Sequence, residues 1–238
     1  MIPPLADQRV VVTGAAQGLG AALARAFAAA GADLVLMDAD AAGLEAVRAA
    51  TGRGAFCRVV DLADASATAA ALADLPGPVD TLIHNAAILQ PEPLETLDLA
   101  RFSVTLNVGI QAGFQLSRAV WPGMKARGGG ALVFVSSQSG IRGFADESAY
   151  CSAKHALEGF SKCLAIEGAP HGILSCTVTP GKAMRTPMSE RNYPPDLKAQ
   201  WIEPDRLAPA FLRIAATRDA GLSGRRLDAW AMSEPAPA

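Results

Sequence analysis

The stretch Val10-Val11-Val12-Thr13-Gly14-Ala15-Ala16-Gln17-Gly18-Leu19-Gly20-Ala21-Ala22-Leu23 runs from a short apolar segment, through three glycines, into an alanine-rich one. The run 9–12 reads as a buried strand and 19–30 as a helix. Between them, glycine lets the backbone turn tightly and leaves no Cβ in the path of an approaching ligand. A helix starting there offers unpaired N–H groups and the positive end of its dipole, a setting suited to a diphosphate. A turn that binds nothing could have the same composition. Its placement after the first strand and before a helix is what favours binding.

The same alternation continues outward. Apolar runs at 33–37, 56–60, 79–84, 131–135 and 173–178 show little period-two patterning, as expected of strands covered on both faces. Helix-length segments at 41–50, 66–73, 101–127 and 149–167 separate them. Strand-then-helix repeats imply an α/β class with a parallel sheet between helical layers. Residues 74–78 and 127–130 read as punctuation, so 1–238 is expected to form one domain, with a loose tail at 233–238.

Composition narrows the function. The 238 residues are 50% apolar and 18% charged, with a net charge of −2 and a mean hydropathy of +0.22, which excludes a disordered, solvating chain. Twenty-one Lys+Arg against 23 Asp+Glu give no electrostatic case for nucleic acid or an anionic membrane. No apolar run is long enough for a bilayer, and MIPPLADQRVVV lacks the basic start of a secretion signal. Cys57, Cys151, Cys163 and Cys176 are widely spaced and read as apolar fillers in a reducing compartment. His84, His155 and His171 lack metal-ligand spacing, so no metal is expected. These features point to a cytoplasmic protein acting on a small molecule.

Three groups of residues carry chemistry. Tyr150 and Lys154 are four apart on the 149–167 helix, so their side chains emerge one turn apart on one side. A phenol with a pKa of about 10 is a poor base, and a neighbouring ammonium favours its ionised form. The alternative is a partly exposed pair with snorkelling tips. Asp38 ends the second strand, where a carboxylate can accept hydrogen bonds from ribose hydroxyls and repel a 2′-phosphate, favouring NAD over NADP. It could instead cap the helix that starts near Ala41. Arg142, Lys182 and Arg185 come from two loops and could grip an anionic substrate if both loops border one pocket. Asp146 and Glu147 could neutralise part of that field. Lys154, Glu158 and Lys162 share one helix face, and Arg225-Arg226 reads as solvated surface.

The spacing T-G-x-x-x-G-x-G at 13–20 resembles the short-chain dehydrogenase/reductase family in its single-domain form, and further motifs follow in that family's order. Asp61-Leu62 follows the third strand, and His84-Asn85-Ala86-Ala87 the fourth, where the family usually has N-N-A-G. Asn107 lies in the long helix, Ser137 after the fifth strand, and Tyr150-Cys151-Ser152-Ala153-Lys154 supplies Y-x-x-x-K. Pro180-Gly181 ends the sixth strand. The chain departs from the pattern at His84 and Ala87, at Gly109 (two residues after Asn107 rather than three), and in the four residues between Gly181 and Thr186.

The resemblance implies a Rossmann-like, doubly wound sheet in three layers and a nicotinamide cofactor. It places that cofactor against Gly14, Gln17, Gly18, Leu19, Gly20, Asp61, Leu62, Asn85, Ala86, Pro180, Gly181 and Thr186, with Tyr150 and Lys154 on the nicotinamide side. It implies that Tyr150 exchanges the substrate proton, Ser137 orients the substrate oxygen, Lys154 holds ribose, and Asn107 holds a relay water. It also implies that the two loops carrying Arg142, Lys182 and Arg185 border one pocket. The thirteen-residue spacing to Tyr150 selects Ser137 over Ser136, and no G-x-S-x-G elbow marks either as a hydrolase nucleophile. The family's homotetramers form through the two long helices, and Gly159 and Ile166 lie off the apolar stripe of the second. Expected activity is hydride exchange with a small secondary alcohol or ketone. A 3-oxoacyl thioester reductase and a non-catalytic NAD-binding regulator remain open.

Overall fold

In a computed structural model of the chain, which describes residues 5–52 and 54–234, seven parallel strands form one sheet. They are β1 (Arg9–Thr13), β2 (Asp33–Asp38), β3 (Phe56–Val59), β4 (Thr81–His84), β5 (Gly130–Val135), β6 (Ile173–Thr179) and β7 (Arg226–Asp228). Their spatial order is β3-β2-β1-β4-β5-β6-β7, so the winding reverses between β1 and β4. In such a sheet the crevice beyond the strand ends at that reversal is where ligands bind. Six strands lie where the apolar runs place them. β7 was not expected, because Arg-Leu-Asp carries a single apolar residue.

Period-two alternation within each strand feeds two cores. Val10, Val12, Leu36, Ile83 and Val133 face one side. There they meet Leu23 and Phe27 of α1 (Gly18–Ala29) and Phe211 and Ile214 of a later helix (Ala208–Thr217). Val11, Val35, Leu82, Leu132 and Phe134 face the other side, packed against Leu116, Met124 and Leu157. This is the three-layer arrangement expected of continuous apolar strands.

Aspartates start the intervening helices. Asp40 accepts the Gly43 N–H at 3.0 Å to begin α2 (Ala41–Ala50), Asp64 caps α3 (Ala65–Ala73), and Asp98 caps α4 (Leu99–Leu106). The expected helix at 101–127 is interrupted. A π-helical segment at Asn107–Gln111 separates α4 from α5 (Ala112–Ala126). Gly109 sits in that segment, where an added Cβ would lie 2.8 Å from the Ala153 Cβ, so the two long helices approach backbone to backbone. The second is α6 (Ser148–Gly168), and α7 (Pro187–Asn192), α8 (Ala208–Thr217) and α9 (Ala229–Ser233) complete the chain. Ser233, expected in a loose tail, ends α9 and accepts the Ala210 N–H at 3.1 Å. Residues 235–238 lie outside the described residues.

Among the described residues no helix is long and apolar enough to cross a membrane. The four cysteines are free thiols. Cys151 and Cys176 are buried fillers as expected, whereas Cys163 is exposed.

Candidate active site

A cavity of about 540 Å³ opens beyond the C-terminal strand ends, with Gly14 and Asn85 in one wall and Ser137, Tyr150 and Lys154 in another. At the β1–β4 reversal, short side chains pin two loops together. The Thr13 hydroxyl accepts the backbone N–H groups of Asn85 (3.0 Å) and Ala86 (3.1 Å). The Asn85 amide donates to the carbonyls of Thr13 (3.1 Å) and Gly14 (3.0 Å). With its acceptor sites taken, Thr13 Oγ1 donates to His84 Nδ1 at 3.0 Å, and His84 Nε2–H donates to the Gly109 carbonyl at 2.7 Å. That fixes a neutral imidazole, and burial pushes its pKa down to about 4. His84 therefore tethers the strand end to the π segment.

The glycine turn fits a cofactor that must lie against backbone. Gly14 has φ +63°, and a Cβ on it would meet Ala86 Cα at 2.9 Å. Gly18 has φ +55° and faces Thr186. Helix α1 begins without a capping side chain, in contrast to α2, α3 and α4, so its first N–H groups are left for a ligand. Gly14, Gln17, Gly18, Leu19, Asp61, Leu62, Asn85, Ala86, Pro180, Gly181 and Thr186 all line the cavity. Gly20 does not: its missing Cβ would sit 2.0 Å from the Gly14 carbonyl oxygen, so it lets α1 pack onto the turn. Asp38 lines the cavity and accepts from Ala16 N and Asp40 N, both at 3.0 Å. The α2 cap is Asp40, which removes capping as the role of Asp38.

At the other end, α6 presents Tyr150 and Lys154 to the end of β5. Lys154 is 2% exposed; its Nζ donates to the Val135 carbonyl at 2.7 Å and lies 5.4 Å from the Tyr150 ring centroid. Burial lowers the Lys154 pKa to about 8, against the raising influence of Glu158. Burial also drives the Tyr150 phenol well above its ordinary value, opposed in part by a hydrogen bond with Ser137. The depression expected from Lys154 is not seen in the protein alone, where Ser137 is the group that lowers the value. Ser139 N–H donates to Ser137 Oγ at 3.2 Å, holding the loop that follows. Asn107 is half-buried beside the cavity-lining Val108, and its amide donates to the Ala63 carbonyl at 3.3 Å.

Beyond Tyr150 the wall is mixed, with Gln138, Ser139, Glu147 and Tyr193 among Leu89, Phe144, Met184 and Met188. Glu147 is buried and accepts the Ser139 hydroxyl at 3.0 Å. The three loop cations are not brought together. Lys182 lines the cavity, Arg185 pairs with Glu203 at 2.9 Å, and exposed Arg142 is not among the lining residues. The reading of Arg226 as solvated surface is also corrected. Glu158 is 7% exposed and pairs with Arg226 at 3.2 Å beneath the Ser137 loop. Arg225 is exposed as expected. Arg226 opens the unforeseen β7 whereas Arg225 precedes it, and no local signal revealed the difference.

Comparison with known proteins agrees with this geometry. The profile of the short chain dehydrogenase family matches residues 8–196. The chain is 38% identical over 216 residues to L-xylulose reductase of Bos taurus, covering 90% of this chain and 84% of that one. It is 33% identical to D-threitol dehydrogenase of Mycolicibacterium smegmatis, with 91% and 89% covered. Among solved structures, a putative NAD(P)-dependent gluconate 5-dehydrogenase from Beutenbergia cavernae, with NADP bound at low occupancy, superposes with a TM-score of 0.89 at 28% identity, covering 97% and 99% of the two chains.

Proposed function

The chain belongs to the short-chain dehydrogenase/reductase family, nicotinamide-dependent oxidoreductases acting on CH–OH groups, and from that premise we propose that it interconverts a small neutral polyol and its ketose using NAD(H). The observation that carries the substrate class is the cavity wall beyond Tyr150. Buried Glu147, bonded to Ser139, offers hydroxyl-binding groups and a negative charge where an anionic substrate would need cations. The names of the relatives, a ketopentose reductase and a tetritol dehydrogenase, agree. The Asp38 carboxylate, with Asp40 two residues on and no basic residue from 13 to 20, supports NAD over NADP.

A nicotinamide cofactor, when bound, would supply the hydride acceptor or donor. Gly14, Gln17, Gly18 and Leu19 would receive its diphosphate and Asp38 the adenosine ribose, with Asp61 and Leu62 at the adenine and Asn85 and Ala86 beside them in the cavity wall. Pro180, Gly181 and Thr186 would border the nicotinamide. Tyr150 takes the proton from the substrate hydroxyl in oxidation and returns it in reduction. Ser137 holds that oxygen, Lys154 supports the phenolate and the ribose, and Asn107 joins the proton path. The single sheet supports one domain for binding and catalysis.

We place the protein in the cytoplasm on the strength of its free cysteines. We assign a homotetramer on Val104, Phe114 and Ile166, which are 40%, 48% and 76% exposed on the long helices. Light scattering at micromolar concentration should give four times the chain mass. The functional test is NAD(P) reduction against tetritols, pentitols and hydroxy acids, with ketoses and 3-oxoacyl thioesters run in reverse. Turnover of a polyol or ketose with NAD(H) is expected. Preference for a thioester or for hydroxy acids would overturn the assignment.

A further inference from the structure

Three consecutive residues at the end of β5 are each gripped by a different charged side chain. Lys154 Nζ donates to the Val135 carbonyl (2.7 Å). The Ser136 hydroxyl donates to Glu158 Oε1 (2.5 Å). Arg226 Nη2 donates to the Ser137 carbonyl (3.0 Å). Glu158 lies one helical turn beyond Lys154, its second oxygen accepting from Thr177 Oγ1 at 2.8 Å while Oε1 also accepts Arg226 Nε at 3.2 Å. One carboxylate therefore joins the loop after β5 to β6 and, through Arg226, to β7. Gly140 closes the loop over it, since a Cβ there would stand 2.6 Å from Ser136 Oγ and 3.2 Å from Glu158 Oε1.

We propose that Glu158 and Arg226 form a partly buried brace that positions Ser137 for the reaction, Arg226 acting through the Ser137 carbonyl without touching substrate. Desolvating two ions offsets most of their attraction, so an ion pair in such a place adds little stability that apolar side chains could not supply. Its contribution is geometric. The guanidinium is a planar fork that can hold Glu158 and the Ser137 carbonyl together, which a single ammonium cannot. With the carbonyl held on one side and Ser139 N–H on Oγ at 3.2 Å, the Ser137 side chain has little freedom about the oxygen it would orient. The reading depends on Ser137 being the residue that orients substrate.

The test compares Arg226→Met, Arg226→Lys and the double variant Glu158→Gln/Arg226→Met with wild type. Arg226→Met leaves a buried carboxylate unpaired and should lower Tm and kcat together. The double variant removes both charges, so Tm should return towards wild type. A displaced catalytic group costs about tenfold to a hundredfold, so kcat in the double variant should stay that far down. NADH affinity should be unchanged and amide exchange across 137–141 faster in both Met variants. Arg226→Lys should recover only part of kcat. Recovery of kcat along with Tm in the double variant would show a purely structural pair, and unchanged exchange across the loop would also overturn the brace. Faster exchange in a protein whose wild type oxidises no polyol would support the brace and condemn the substrate assignment alone.

Discussion

The two ends of the cavity are built by opposite means. At the β1–β4 reversal the wall is backbone, shaped by missing atoms: Gly14, Gly18 and Gly20 are places where a Cβ would strike a neighbour or strain the turn, and Thr13 and Asn85 tie the rest with short bonds. At the β5 end the wall is held by long charged side chains reaching from α6 and β7. The first region fails when an atom is added, and the second when a donor or acceptor is removed. Binding and chemistry should therefore be separable by mutation.

Tyr150→Phe sharpens that separation most. It keeps the ring and deletes the transferable proton, so kcat should fall by roughly 10²–10⁴ while NADH binding, followed by fluorescence, stays near wild type. Activity within about threefold of wild type would remove the phenol from the chemistry.

His84 ties the first region to the π segment, and its titration has a definite sign. Its folded pKa of about 4 lies below the ordinary 6.5, so the unfolded chain binds more protons between those values. Stability is full above pH 6.5 and is lost as pH falls towards 4, by roughly 3 kcal/mol at the lower limit. Urea melts should show that acid slope in wild type and its absence in His84→Asn. An equal slope in both would place the acid sensitivity elsewhere.

Gly20→Ala probes the first region alone. Its Cβ would meet the Gly14 carbonyl at 2.0 Å, and backbone cannot step aside as a side-chain tip can. A loss of about 1–3 kcal/mol is expected, with weaker NADH binding. The gentlest change is Asp38→Ala, which should shift the NAD/NADP ratio of kcat/KM by about tenfold towards NADP, near 1.4 kcal/mol. An unchanged ratio would take Asp38 out of cofactor selection.

The contrast also explains what was legible beforehand. Cofactor-end residues lie in short local patterns, so spacing found Gly14, Gly18, Asn85 and Asp38, and all four line the cavity. Spacing could not tell that Gly20 serves packing, since its neighbour is the turn's own carbonyl. The strands read correctly because burial on both faces leaves continuous apolar runs. β7 did not, being three residues with a charge at each end. The π segment was invisible because helical periodicity passes through it unbroken. Arg226 read as solvated because its partner Glu158 is 68 residues away. Arg142, Lys182 and Arg185 showed the converse error: nearness in two loops did not place the three charges on one wall.

The reach from Arg226 back to Ser137 spans 89 residues, and it sets an order on biosynthesis. The staple between Thr13 and Asn85 can close once β4 has emerged from the ribosome. The serine loop must then wait for β7, the last strand among the described residues, before Arg226 arrives. At typical elongation rates of 5–20 residues per second the interval is on the order of ten seconds. A nascent chain thus completes the staple at the glycine turn well before the brace on the Ser137 loop, and a premature stop upstream of Arg226 would yield a product with the first and without the second.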